Sequence, residues 1–184
     1  MPRSLTFLSL MFIAIATVSA SAQDASGNSA EVYALASQWS GLNIPGETGA
    51  AGFRFGGAWR ETPGLSWIAD VGHHFVSDEN AGFTTLMAGP RFYKREFHDR
   101  LQNNGVHRRL LPPADPFVQF LVGTQRWTQP GQPADWSMVV APGAGIDANL
   151  TDHVTFRLIE IELTLTRGAG TLRVASGFAF RFGR

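Results

Sequence analysis

Thr171-Leu-Arg-Val-Ala-Ser-Gly-Phe-Ala-Phe-Arg-Phe182 separates into two faces: Leu172, Val174, Phe178, Phe180 and Phe182 on one parity, Arg173, Ala175, Gly177, Ala179 and Arg181 on the other. A period of two is the period of a β-strand, whose successive side chains point to opposite sides of the sheet. A strand of a soluble core turns its apolar face inward and its charge to water. A strand of a membrane barrel does the reverse, with small residues and paired charges facing the lumen. Which face is inside must therefore be decided from the rest of the chain.

The opposite end speaks for export. Arg3 precedes an apolar run over residues 5–18, and Ser19-Ala-Ser-Ala22 offers a small-residue cleavage site before Gln23. A charged start, an apolar middle and a small-residue end are the parts of a secretory signal peptide. The apolar run is also shorter than the roughly 20 residues a spanning helix needs. Residues 1–22 are expected to be removed, leaving 23–184 as one domain.

Composition narrows the function classes. The 184 residues include no cysteine, which excludes disulfide scaffolds and cysteine-ligated metals. The 15 basic and 15 acidic residues, less Arg3, leave a near-neutral mature chain without the field that nucleic acid requires. Every basic residue except Lys94 is arginine, the side chain better suited to buried, bidentate carboxylate pairs.

The 20 glycines and 10 prolines cut the chain into alternating segments with no helical apolar stripe, so the architecture is all-β. Strands are expected over residues 31–40, 50–60, 65–76, 83–94, 117–127, 136–148, 153–166 and 171–182. Eight strands in hairpin succession allow a closed antiparallel up-and-down barrel. In the seventh, Arg157 has one parity and Glu160 and Glu162 the other, so a β-bulge is expected at Leu158 and Ile159. Residues 95–114 are too long and polar for a tight turn.

Two patterns favour the polar face as the inside. Trp39, Trp59, Trp67, Trp127 and Trp136 lie near strand ends, as in the aromatic girdles of membrane barrels. Arg54, Asp70, Arg91, Asp147, Glu160, Glu162, Arg173 and Arg181 share one face with glycines 52, 56, 72, 89, 143, 145 and 177. An eight-stranded barrel has an interior just filled by side chains, where opposite charges pair and small residues make room. A solvated outer face has no need of glycine.

Thr84-Thr-Leu-Met-Ala-Gly-Pro-Arg-Phe-Tyr93, Asp115-Pro-Phe-Val-Gln-Phe-Leu-Val-Gly123, Gly143-Ala-Gly-Ile-Asp-Ala-Asn-Leu150 and Phe156-Arg-Leu-Ile-Glu-Ile-Glu162 together resemble the small bacterial outer-membrane β-barrel proteins of the OmpA/OmpX-like class. The resemblance covers nearly all of the chain after residue 22. It implies a transmembrane barrel in the bacterial outer membrane, with Arg91, Asp147, Arg157, Glu160 and Glu162 in the lumen. It also implies that the barrel-assembly machinery reads Phe178, Phe180 and Phe182 in the closing strand, although Gly183-Arg184 follow the terminal aromatic. The partners it implies are outer-membrane lipid and that machinery.

Chemistry has few footholds. His73-His-Phe-Val-Ser77 faintly resembles the His-x-Ser-Asn stretch of lipid A deacylases, but there His and Ser are two apart and share a face. Here His74 and Ser77 face opposite ways, and His73 and Ser77 lie about 13 Å apart along an extended strand. His98, His107 and His153 have no regular metal-ligand spacing, and neither cofactor nor metal is expected. Arg126 falls on an apolar parity near a strand end, where it can reach lipid phosphate. The leading expectation is a non-enzymatic structural or surface-interacting barrel with a charge-plugged lumen. A soluble exported barrel holding an apolar ligand and a lipid-modifying enzyme are the alternatives.

Overall fold

In the computed structural model the described residues are 29–41, 49–62, 64–76, 81–94, 113–167 and 169–183, so the expected signal segment lies outside them. Eight strands follow one another: β1 (Ser29–Gly41), β2 (Ala50–Thr62), β3 (Leu65–Val76), β4 (Ala81–Tyr93), β5 (Ala114–Thr128), β6 (Asp135–Asn149), β7 (Val154–Thr166) and β8 (Ala169–Phe182). Each pairs antiparallel with the next, and β8 closes on β1 from Ala30↔Phe182 to Gly41↔Thr171. Closure matters because an open edge would leave a row of backbone donors and acceptors unpaired. The fold is an eight-stranded antiparallel up-and-down barrel, with no helix among the described residues.

The start of β1 and the end of β8 lie at one rim, together with the turns at Gly64 and 150–153 and the strand ends Tyr93 and Ala114. We call this the terminal rim. The opposite, far rim carries the connections after β1, β3, β5 and β7. The polar segment 95–114 thus joins strands at the terminal rim; its residues 95–112, with His98 and His107, lie outside the described part.

Local chemistry sets the irregularities. Proline has no N–H for the ladder, and Pro90 pairs with Trp67 on β3 while interrupting the ladder to β5 between Ala88↔Val122 and Arg91↔Gln119. In β7 the register slips where the parity of the charges slips. On β6, Ile146 faces Ile159 and Asp147 faces Arg157, so Leu158 is the extra residue. Leu158 and Ile159 both point outward, while Arg157 and Glu160 on either side are fully buried. The bulge lets one strand send three charges to the same side.

The two faces of the wall differ sharply. Leu86 is 61% exposed, Val122 48%, Met138 76% and Ile161 42%, and such residues make most of the outer surface apolar, with a few neutral polar side chains such as Thr124 among them. Among the described outward-facing strand residues the ionised side chains are Glu61, near the terminal rim, and Arg126, near the far one. An apolar surface this large would be a severe liability in water. It matches the apolar band of a barrel in hydrocarbon.

The tryptophans divide. Trp59, Trp67 and Trp136 face outward, and Trp59 is opposite Trp67 across the β2–β3 pair. Trp39 and Trp127 do not belong to that set, contrary to the reading from strand ends alone. Trp39 shares the parity of Tyr33, Leu35 and Ser37 and is buried inside, and Trp127 shares that of Gln125 and stacks on Phe83 there. Nearness to a strand end gives depth in the wall, whereas parity gives the side.

An outward residue halfway along a strand is the most sensitive to charge. Val122 stands near the middle of β5 and Phe182 at the end of β8. Val122→Arg is expected to cost about 2–4 kcal/mol of folding stability in lipid vesicles and Phe182→Arg about 0–1. Denaturant titrations of vesicle-embedded protein measure both, and equal costs would contradict the assigned depth.

Candidate functional site: the charged interior

Every strand sends at least one polar side chain into a common network. Arg54 from β2 is fully buried and donates from Nη1 to Glu162 Oε2 at 2.8 Å. It also pairs through Nη1 with Glu160 and through Nη2 with Asp70. Arg173 from β8 donates from Nε to Glu162 Oε2 at 2.6 Å. Arg157 forms a two-pronged pair with Asp147, Nε to Oδ1 at 2.8 Å and Nη2 to Oδ2 at 3.1 Å, and donates from Nη1 to Glu160 Oε2 at 2.8 Å. Such forked contacts are the arrangement for which a planar guanidinium is suited.

Arg91 from β4 reaches Glu160 Oε2 at 3.4 Å and Glu31 Oε1 at 3.7 Å. Arg181 closes the series near the terminal rim, with Nε 3.3 Å from Glu31 Oε2. Gln119 ties the halves together: its Oε1 accepts from Arg91 Nε at 2.9 Å, and its Nε2 donates to Glu160 and Glu162 at 3.1 and 3.0 Å. Tyr33 donates to Asp70 Oδ2 at 3.2 Å. The cations are Arg54, Arg91, Arg157, Arg173 and Arg181, and the anions Glu31, Asp70, Asp147, Glu160 and Glu162, so the ion-paired groups cancel in charge.

Aromatic rings carry part of this load. Arg91 and Arg157 both lie over Tyr33 and Phe117, with guanidinium carbons 4.5 to 5.6 Å from the ring centroids. The rings need space, and glycine supplies it. Tyr33 pairs with Gly56 and Phe117 with Gly145, and a Cβ added at either glycine would stand 2.4 Å from the facing ring. These two glycines let an aromatic ring lie flat on the wall beneath the arginines.

Toward the far rim the interior turns aromatic. His74 and Phe83 stack with centroids 4.7 Å apart and planes 9° apart, Phe83 stacks on Trp127, and Trp39 meets Phe83 at 3.9 Å. Beneath this layer Ser37 Oγ and His74 Nε2 share a hydrogen bond of 2.7 Å. On the same side of the barrel Ile68 of β3, Met87 of β4, Leu121 of β5 and Val139 of β6 form an apolar inner lining.

All nine charged residues singled out from the sequence (Arg54, Asp70, Arg91, Asp147, Arg157, Glu160, Glu162, Arg173 and Arg181) point inward and pair, Arg181 keeping slight exposure. The sequence reading omitted Glu31, Gln119 and Tyr33. Glu31 has the inward parity of Tyr33 and Leu35, but those apolar neighbours disguise the face; Gln119 has the parity of Gly123 and Gln125 but no charge to draw notice. Phe178, Phe180 and Phe182 project outward. Of the deacylase-like stretch, His73 bonds Thr84 on the outer wall at 2.9 Å, His74 faces the interior, and Ser77 lies outside the described residues. His153 is exposed in the turn after β6.

The comparisons with known proteins agree with this architecture. No family model matches the sequence, and no curated protein does. Among solved structures, the chain is similar to Neisserial surface protein A at 12% identity and a TM-score of 0.56, over 88% of this chain and 100% of that one. It is similar to the N-terminal β-barrel domain of Pseudomonas aeruginosa OprF at 13% identity and 0.57, over 84% and 97%. For Ail, the attachment invasion locus protein of Yersinia pestis, the values are 14% and 0.52, over 85% and 99%. At such identities the likeness concerns the fold, which is that of the small outer-membrane barrels.

Glu160 receives Arg54, Arg91, Arg157 and Gln119, so it is the network's most connected acid. Glu160→Gln is expected to cost on the order of 3–5 kcal/mol, because the guanidiniums left behind stay buried with too little negative charge. Denaturation of the vesicle-embedded protein tests this, and a loss below about 1 kcal/mol would mean that the pairs are individually dispensable.

Proposed function

We propose that this chain is an integral protein of the bacterial outer membrane, exported with removal of residues 1–22, whose role is structural or surface-interacting and not enzymatic. In this reading its lumen is plugged by the ion pairs and does not conduct. The observation that carries the reading is the charge-cancelled network crossing the interior, roofed by the Trp39, His74, Phe83 and Trp127 stack and enclosed by an apolar wall. Solvating charge inside and apolar groups outside is the polarity of a barrel in lipid. It also argues against a soluble carrier of an apolar ligand, which would keep its grease within.

The remaining parts fit the same role. Trp59, Trp67 and Trp136, exposed near the rims, suit the headgroup region as a reduced aromatic girdle. Phe178, Phe180 and Phe182 alternate along the outer face of the closing strand in the pattern that the assembly machinery would read. A surface-interacting role is supported by the names of two similar structures, a surface protein and an attachment invasion locus protein.

The Ser37–His74 pair is the nearest approach to catalytic geometry, and it supports the non-enzymatic reading. Among the described residues no group bonds His74 Nδ1 to orient the ring, and the pair is buried under Trp39 and Phe83, away from lipid. A nucleophile's base normally needs both orientation and a path for substrate.

Plugging predicts electrical silence. Near the terminal rim, a cavity of about 10 Å³ lies among Ser29, Glu31, Arg60, Ser66 and Arg181, room for a single water. Purified protein in planar bilayers is expected to give no steady channels. Arg91→Ala combined with Asp147→Asn removes a cation and an anion from the lower network, and leak events are expected to rise. Uniform open channels from the unmodified protein would overturn the plug.

A further inference from the structure

The small cavity at the terminal rim is walled mostly by donors. Ser29 of β1, Arg60 of β2 and Ser66 of β3 are consecutive cross-strand partners of inward parity, so two hydroxyls flank one guanidinium. Arg181 and Glu31, partners across the β8–β1 pair, border the same space. Its volume of about 10 Å³ is that of one water-sized sphere. Arg60 is half-buried, and its guanidinium carbon lies 4.8 Å from the centroid of the Tyr93 ring. Tyr93 shares the inward parity of Arg91, so this contact draws the guanidinium across the mouth of the barrel. Nη2 of Arg181 is buried and has no hydrogen-bond partner among the described residues.

Charge at this place does not cancel. Among the described residues no carboxylate lies within ion-pair distance of Arg60; the ion-paired arginines and acids match without it, so it adds a charge that nothing beside it offsets. Glu31 is the one acid on the cavity wall, and its charge is divided among three arginines. Its Oε2 lies 3.3 Å from Arg181 Nε, and its Oε1 lies 3.7 and 3.5 Å from Arg91 and Arg157. A further acid of inward parity, Asp115, stands three strands away on β5 and accepts from Asn149 Nδ2 at 2.7 Å. A guanidinium can only donate. The wall therefore offers Arg60, Arg181 and two serine hydroxyls to an acceptor of about one water's size.

We propose that this cavity binds a small monatomic anion, chloride in ordinary saline media, held by Arg60, Arg181 Nη2 and the hydroxyls of Ser29 and Ser66. A water in the same place would bring no charge, whereas a halide answers Arg60 and accepts from the buried Arg181 nitrogen, a donor that is costly to leave unpaired. Size restricts the ligand to one atom: sulfate, phosphate or a carboxylate would have to force apart the Ser29, Arg60 and Ser66 row. Bound there, the ion completes the charge balance of the plug at its terminal end. The site belongs to the inside of the barrel and goes beyond the structural role proposed for the whole chain.

Two measurements test it. Folded protein in zwitterionic micelles, verified by heat-modifiable migration on a gel, is transferred to sodium gluconate, and chloride is titrated in at constant ionic strength while the chloride NMR line width reports the bound ion. Crystals grown in sodium bromide locate it by anomalous scattering. Bromide is expected in the cavity, and half-filling by chloride below physiological ionic strength, about 0.15 M. Arg60→Gln should weaken binding about tenfold, the loss of one charge-assisted hydrogen bond. Ser66→Ala should weaken it less, and Arg167→Gln, exposed at the far rim, should leave it unchanged. Arg60 lies outside the ion-paired set, so its variant keeps every pair; should it fail to fold, Ser66→Ala carries the comparison. No bromide in this cavity, binding undiminished in the folded site variants, or filling only near molar halide would overturn the site. So would sulfate displacing bromide at equal concentration, which would make it an open basic patch.

Discussion

Charge cannot remain alone inside a closed barrel. An isolated guanidinium or carboxylate withdrawn from water costs several kcal/mol even after relaxation, and this interior holds five of each. Their arrangement is consequently collective. Glu160 answers to three arginines, Glu31 to three, and Glu162 to two. Only β7 supplies both partners of a pair: acids come from β1, β3, β6 and β7, and their cations from β2, β4, β7 and β8. The network thus depends on closure, since only the closed barrel brings β1 and β2 against β7.

The backbone bends to serve this requirement. In a regular strand Arg157 and Glu160, three residues apart, would face opposite sides of the wall, leaving one of them in the apolar band; the bulge at Leu158 turns both inward. The bulge costs β7 a break in its pairing with both neighbours. It gains an Arg–Glu pair three residues apart along a single strand, with Nη1 to Oε2 at 2.8 Å. Glycine acts similarly across the strand. Gly56 and Gly145 leave room for Tyr33 and Phe117, whose faces meet Arg91 and Arg157, so that the rings contribute negative potential where no further carboxylate fits.

The outer wall follows an opposite rule with the same logic. Mid-wall positions carry no charge because nothing there could pair with it, and the two ionised outward side chains among the described strand residues sit at opposite rims. Glu61 accepts from Trp67 Nε1 at 2.9 Å at the terminal rim. Arg126 rests against Trp136 at the far one. Both charges therefore lie beside a tryptophan, where an amphipathic ring bridges hydrocarbon and headgroup.

The sequence alone determined which segments are strands, which parity is apolar in most of them and where β7 must bulge, because each of these follows from the side-chain period along one segment. It marked Arg54, Asp70, Arg91, Asp147, Arg157, Glu160, Glu162, Arg173 and Arg181 as one face, since charge stands out against glycine and alanine. It did not mark Glu31, Gln119 and Tyr33, whose neighbours on the same face are apolar or neutral. Nor did position near a strand end reveal that Trp39 and Trp127 turn inward, where their parity puts them against Phe83 and His74. Which arginine meets which acid, and that Ser29, Arg60 and Ser66 form one row, only the tertiary structure decided. Those pairings depend on register between strands up to 150 residues apart, and register is a property of the closed sheet, not of any strand within it.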